Sequence, residues 1–168
     1  MKQKGRIFLL TLLTGFINFQ ATEEKSDYFA EEMLLAVNQL RVHGCHCGDT
    51  YMPPVKPLHW NADLEKAAQR QAADMSGNHW FEHTGTDGST IAVRVSDTGY
   101  DWSAVGENIA HGYRLIQQVV DGWQKSEGHC RNIMKAAYVE MGVARVGTYW
   151  SQTFAKPRVR ERKLEIGN

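Results

Sequence analysis

The hydrophobic pattern of this chain changes period along its length, and that change limits the fold more than any other feature. Residues 29–40, FAEEMLLAVNQL, place Phe29, Met33, Val37 and Leu40 on one helical face. Ser26 is available as a cap and Gly44 as a stop. A second helix starts at Asn61, where Leu64, Ala67, Ala68, Gln71 and Met75 share a side, and Gly77 reads as its end. STIAVRVSDTG predicts a short helix from Ser89 to a stop at Gly99. RLIQQVVDGWQKS repeats the amphipathic stripe with Ile116, Val119, Val120 and Trp123. Then the period shortens. EMGVARV and TYWSQTF are β-rich runs that join around Gly147 as a hairpin, with Trp150 and Phe154 at one parity and so on one side. GENIAHG reads as one further strand. Helices early and strands late predict an α+β fold rather than regular βαβ units, with helical faces covering a sheet from opposite sides.

The N-terminus bears on where the chain works. MKQKGR is followed by the thirteen-residue uncharged run IFLLTLLTGFINF. That is the layout of a secretory signal, and the run is too short to span a bilayer comfortably; the rival reading is an uncleaved N-terminal anchor. Residues 1–21 are therefore expected to be a signal peptide cut near Ala21, which predicts a secreted or cell-envelope location and no transmembrane span in the mature chain. Residues 22–156 are expected to form one domain, and 157–168 a basic, disordered tail. Removing Lys2, Lys4 and Arg6 leaves sixteen basic against nineteen acidic residues, a net charge of −3. A mildly acidic surface gives no electrostatic reason to expect nucleic acid as a partner.

Three segments carry polar residues that packing does not require. They are FEHTGTDGS with His83, VGENIAHG with Glu107, and GWQKSEGHC with His129. The last sets His129 beside Cys130 at the end of the helix that carries Trp123. No HExxH, GxSxG or P-loop is present. Ser126 near His129 has no accompanying oxyanion motif, and no other hydroxyl or thiol stands out as a nucleophile.

The chain has three cysteines, Cys45, Cys47 and Cys130. In an exported protein two of them are expected to oxidise. A Cys45–Cys47 bridge would close a strained ring, so one of the two is expected to join Cys130. The rival reading makes the CHC run Cys45-His46-Cys47, with His129 and Cys130, a zinc site, against which stand the unusual C-x-C spacing and the exported setting.

Six ordered pieces resemble the CAP superfamily (cysteine-rich secretory, antigen 5 and pathogenesis-related proteins) in its bacterial SCP-like branch. They are NQLR, PLHWNADLEKAAQRQAADM, FEHTGTDGST, GYDWSAVGENIAHG, VVDGWQKSEGHCRNIM and MGVARVGTYWSQTF. The resemblance implies a three-layer α-β-α sandwich. It also implies a cleft in which His83, Glu107 and His129 converge. Family members with the full tetrad carry a second glutamate where this chain has Ser126; Glu127 is one step off, roughly 100° around a continuing helix. The resemblance further selects Cys47 over Cys45 as the partner of Cys130. That bridge would close a loop of about 80 residues, rated at ~4 kcal/mol by chain entropy.

Two functions follow from the resemblance. One is an extracellular binding or scaffolding module that takes a lipid, a cell-envelope component or another protein in the cleft, with no cofactor required. The alternative is a metal-assisted, peptidase-like hydrolase with Glu107 as base, and His83, His129 and Glu107 holding an ion such as Zn²⁺.

Overall fold

The computed structural model describes residues 28–159. The expected signal over 1–21, the Ser26 cap and the end of the expected tail lie outside the described residues. Helix α1 covers residues 28–43 and stops at Gly44, whose φ of 74° only glycine adopts without strain. A small hairpin follows, β1 Cys45–Cys47 and β2 Thr50–Met52, then β3 His59–Trp60 and helix α2 Ala62–Asn78. Helix α3 Ile91–Asp97, strand β4 Trp102–His111, helices α4 Ile116–Lys125 and α5 Glu127–Ile133, and strands β5 Glu140–Val146 and β6 Tyr149–Pro157 complete the order.

The main sheet has the order β3-β5-β6-β4, with β3 parallel to β5 and the other pairs antiparallel. Alternation along its strands makes two cores. On one face Met141, Val143, Trp150 and Phe154 pack with Met33 and Val37 of α1, with Val119, Val120 and Trp123 of α4, and with Ile133 of α5. On the other face Ala144 and Ala155 meet the alanine-rich side of α2, and Val95 of α3 adds to it. The fold is therefore a three-layer α-β-α sandwich. Helix α2 lies so close that a Cβ on Gly142 would sit 2.1 Å from the Glu65 backbone nitrogen, so a glycine is required there.

β4 is an edge strand, and its outward carbonyls are closed by side chains. Tyr138 Oη donates to Val105 O at 3.0 Å, Asn132 Nδ2 to Glu107 O at 3.2 Å, and Trp123 Nε1 to Ile109 O at 3.3 Å. An open edge invites pairing with another chain, and these three donors satisfy it from within.

The structure differs from the sequence reading at several boundaries. Helix α2 passes through Gly77 and ends at His79, which takes the left-handed φ of 52° and bonds back to Met75 O. Helix α3 starts one residue after its Thr90 cap, and GENIAHG is the second half of a ten-residue strand. The helix carrying Trp123 stops at Ser126, whose extended φ and ψ of −88° and 117° break it, so His129 and Cys130 belong to a separate short helix. The first residues of the segment expected to be a tail are ordered: β6 includes Pro157, and Arg158 N donates to Asp101 O at 2.9 Å.

Candidate functional site

Glu107 lies on β4 at the same parity as Ile109, and its side chain turns toward α3. It is almost fully buried, and both carboxylate oxygens are engaged. Oε1 accepts from Arg94 Nη2 at 2.8 Å and Ser151 Oγ at 3.2 Å; Oε2 accepts from His83 Nδ1 at 2.9 Å. Arg94 is itself sealed, with further bonds to Ser89 O at 2.8 Å and His83 O at 3.1 Å. A buried carboxylate is tolerable only when paired and hydrogen-bonded, and Arg94 supplies that pairing. The sequence reading missed Arg94. Its signal was present: Ile91, Arg94 and Val95 share the inward stripe of a short helix, and a cation there requires a carboxylate partner.

His83 sits in the loop between α2 and α3, and side chains of α2 hold that loop in place. Gln71 Nε2 donates to Glu82 O at 2.6 Å, Asp74 Oδ2 accepts from Thr86 N at 2.8 Å, and Arg70 pairs with Asp87 and Asp97. The His83 side chain remains 57% exposed, so one face of the ring is open to solvent. His129 approaches from the opposite layer. Its carbonyl accepts from Asn108 Nδ2 at 3.1 Å, and the neighbouring Cys130 is bridged to Cys47 with a Cα–Cα separation of 5.3 Å. His83 thus lies with α2 and α3 and His129 with α5, near enough for the charge of His83 to act on the His129 ring.

The electrostatics separate the two imidazoles. The hydrogen bond to Glu107 raises the pKa of His83 above the ordinary histidine value, against some desolvation. Burial lowers that of His129, and the charge of His83 lowers it further. Among the described residues no group bonds to the His129 ring nitrogens. The two imidazoles therefore differ in basicity, His83 holding its proton to higher pH than His129.

Ser126 stands at the break between α4 and α5, and its hydroxyl makes no capping bond to α5. Glu127 is not brought to the cluster. Its Oε1 accepts from Arg131 Nη2 at 2.7 Å, and it stands over Gly48 of the β1–β2 turn. The break at Ser126 is the reason, because it restarts the helix and resets the direction of every following side chain.

This donor set does not fit a resident metal ion as it is arranged. Glu107 has no oxygen free of a donor, and Arg94 places a positive charge against the carboxylate a divalent cation would need. Among the described residues the group of three candidate ligands within 4.8 Å of one another is Cys45, Cys47 and Cys130, and two of those form the disulfide. The zinc reading of the cysteines is corrected on that ground. His129 lends it no ligand and Cys45 remains a thiol.

Two further surfaces border the site or lie apart from it. An aromatic shelf begins three residues before His83, with Trp80 and Phe81 each nearly half exposed. Phe81 lies 6.1 Å from His111 and 6.4 Å from Tyr149, and those two rings stack at 4.1 Å. Separately, a groove of about 410 Å³ runs between α1 and α4, lined by Leu35, Ala36, Leu40, Ile116 and Val120. None of the cluster residues lines it.

The CAP family model, described as the cysteine-rich secretory protein family, matches residues 34–154. The protein YkwD of Bacillus subtilis is 32% identical over 102 residues, which are 60% of this chain and 40% of that protein. The chain therefore spans well under half of that relative. Among solved structures, an extracellular SCP-domain protein of Bacillus anthracis superposes with a TM-score of 0.67 at 23% identity, over 76% of this chain and 40% of the other. An outer surface protein of Borrelia burgdorferi gives 0.63 at 20% identity, over 82% and 96%. Identities this low establish a shared fold.

Proposed function

Because this chain belongs to the CAP, or cysteine-rich secretory protein, family, we propose that it works as an extracellular binding module, with its ligand laid across the His83–His129 cleft and the aromatic shelf. The observation that carries this reading is the saturated state of Glu107. A carboxylate held by a buried guanidinium, a hydroxyl and an imidazole is a positioning anchor for His83, poorly suited to take a proton from water. The groups that reach solvent are those suited to recognition: the His83 ring, the partly buried His129 ring, and the rings of Trp80, Phe81, His111 and Tyr149, of which His111 ends β4 and Tyr149 begins β6. Such a surface suits a ligand with an apolar face and polar substituents, the chemistry of a lipid, a cell-envelope component or a segment of another extracellular protein. A disulfide in the core and relatives of extracellular type favour an oxidising, extracytoplasmic setting. Among the described residues no helix is long and apolar enough to cross a membrane.

The test is sedimentation of the purified protein with isolated cell-wall material and with lipid vesicles, alongside a panel of peptide and ester substrates. Retention on one of the first two that falls in Phe81→Ala and His83→Ala supports the module. Turnover of a panel substrate that Glu107→Gln abolishes would establish the hydrolase instead.

A further inference from the structure

Three sulfurs meet where β1 runs beneath α5. Cys47 and Cys130 form the disulfide, and Cys45, two residues earlier on the same inward side of β1, keeps a buried thiol. Cys45 Sγ lies 3.6 Å from Cys130 Sγ, and all three sulfurs fall within 4.8 Å of one another. Cys47 and Cys130 are fully shielded from solvent, so an outside thiol cannot reach the bridge in the folded state. Among the described residues Cys45 is the thiol within contact distance of it.

We propose that Cys45 is an exchange thiol for this bridge. The Cys45 thiolate attacks Cys130 Sγ, the Cys47–Cys130 bond breaks, and Cys47 leaves as a thiolate that takes up a proton equivalent to the one Cys45 gave up. One S–S bond forms as one breaks and one thiol replaces another, so the step needs no oxidant or reductant. The product carries a Cys45–Cys130 bridge and a free Cys47. Attack proceeds in line with the breaking bond. An in-line arrangement would place the Cys45 and Cys47 sulfurs more than 4.8 Å apart, whereas they lie within that distance, so Cys45 must first swing about its side-chain torsion. Burial also keeps Cys45 protonated by pushing its pKa up, which further slows the step. Exchange is therefore slow, and its two forms share one consequence. Either bridge ties β1 to α5, so His129, next in sequence to Cys130, stays anchored whichever cysteine holds it.

The experiment uses the full chain purified under oxidising conditions and incubated in mildly alkaline buffer. Samples are quenched in acid, unfolded, alkylated with N-ethylmaleimide and digested without reduction, and fragment-ion sequencing places the label within the peptide that contains both Cys45 and Cys47. Label is expected on Cys47 as well as Cys45, with the Cys47 share rising to a plateau; label confined to Cys45 at every time overturns the proposal. A second arm refolds Cys47→Ser in a glutathione redox buffer. A Cys45–Cys130 bridge with no titratable thiol is expected, and two titratable thiols in a folded variant would overturn it. Should Cys47→Ser not fold, the labelling of the unmodified chain decides.

Discussion

Arg94 Nη2 stands 2.8 Å from Glu107 Oε1 with both side chains withdrawn from solvent. The pair joins α3 to the edge strand β4 and holds the carboxylate that orients His83.

Breaking that pair from one side should cost more than removing it whole. Arg94→Met leaves Glu107 buried without its cation and is expected to lower unfolding free energy by about 3–5 kcal/mol, as is typical when one partner of a buried ion pair is lost. The double variant Arg94→Met, Glu107→Gln should recover part of that loss. Urea denaturation of the two single variants and the double variant measures the coupling.

His83 and His129 should titrate on opposite sides of the ordinary imidazole value near ~6.5. The raised His83 pKa, caused first by the Glu107 hydrogen bond, contributes stability that is complete below the unfolded value and lost as pH rises through the folded one. The lowered His129 pKa, caused first by burial, contributes stability that is complete above the unfolded value and lost as pH falls toward the folded one. Imidazole NMR titration checks the order. Glu107→Gln should bring His83 down and let His129 rise, and unchanged His83 titration in that variant would refute the assignment.

Arg41 is fully buried and donates only to main-chain carbonyls, those of Lys56, Ile133, Lys135 and Tyr138. Burial pulls its pKa down to about 10. One guanidinium thus fastens α1 to the loop before β3 and to the turn after α5. A lysine cannot place donors in this fork, so Arg41→Lys should cost about 3 kcal/mol or more through unsatisfied buried carbonyls. Thermal unfolding measures the loss, with ligand retention per folded molecule unchanged.

Zinc titrated into the protein should give no calorimetric heat that His83→Ala removes. Both oxygens of Glu107 are taken and Arg94 repels a second cation. A stoichiometric heat that vanishes in His83→Ala would show that the cleft rearranges to accept the ion.

Much of the fold could be read before any coordinates. Met33, Val37, Val119, Val120 and Trp123 were expected on helical inner faces and are buried, and Trp150 and Phe154 share one face of the sheet. These are local periodicities, and burial follows directly from them. The Ser126 break and the His79 end of α2 were not legible. Ser126 has no proline beside it and Gly128 lies inside the following helix, while His79 takes a left-handed turn usually left to glycine or asparagine. Arg94 escaped for another reason: its role depends on Glu107, thirteen residues away on a different element.

The order of residues alone determined the layers, since hydrophobic period, caps and turn glycines act over a few neighbours and set which side of each element is apolar. Tertiary packing decided the chemistry of the cleft. Only the packing of α3 against β4 put Arg94 against Glu107, and only the packing of α5 over β1 left Cys45 beside a bridge. Those distances are set by how whole elements pack, and no local pattern encodes them.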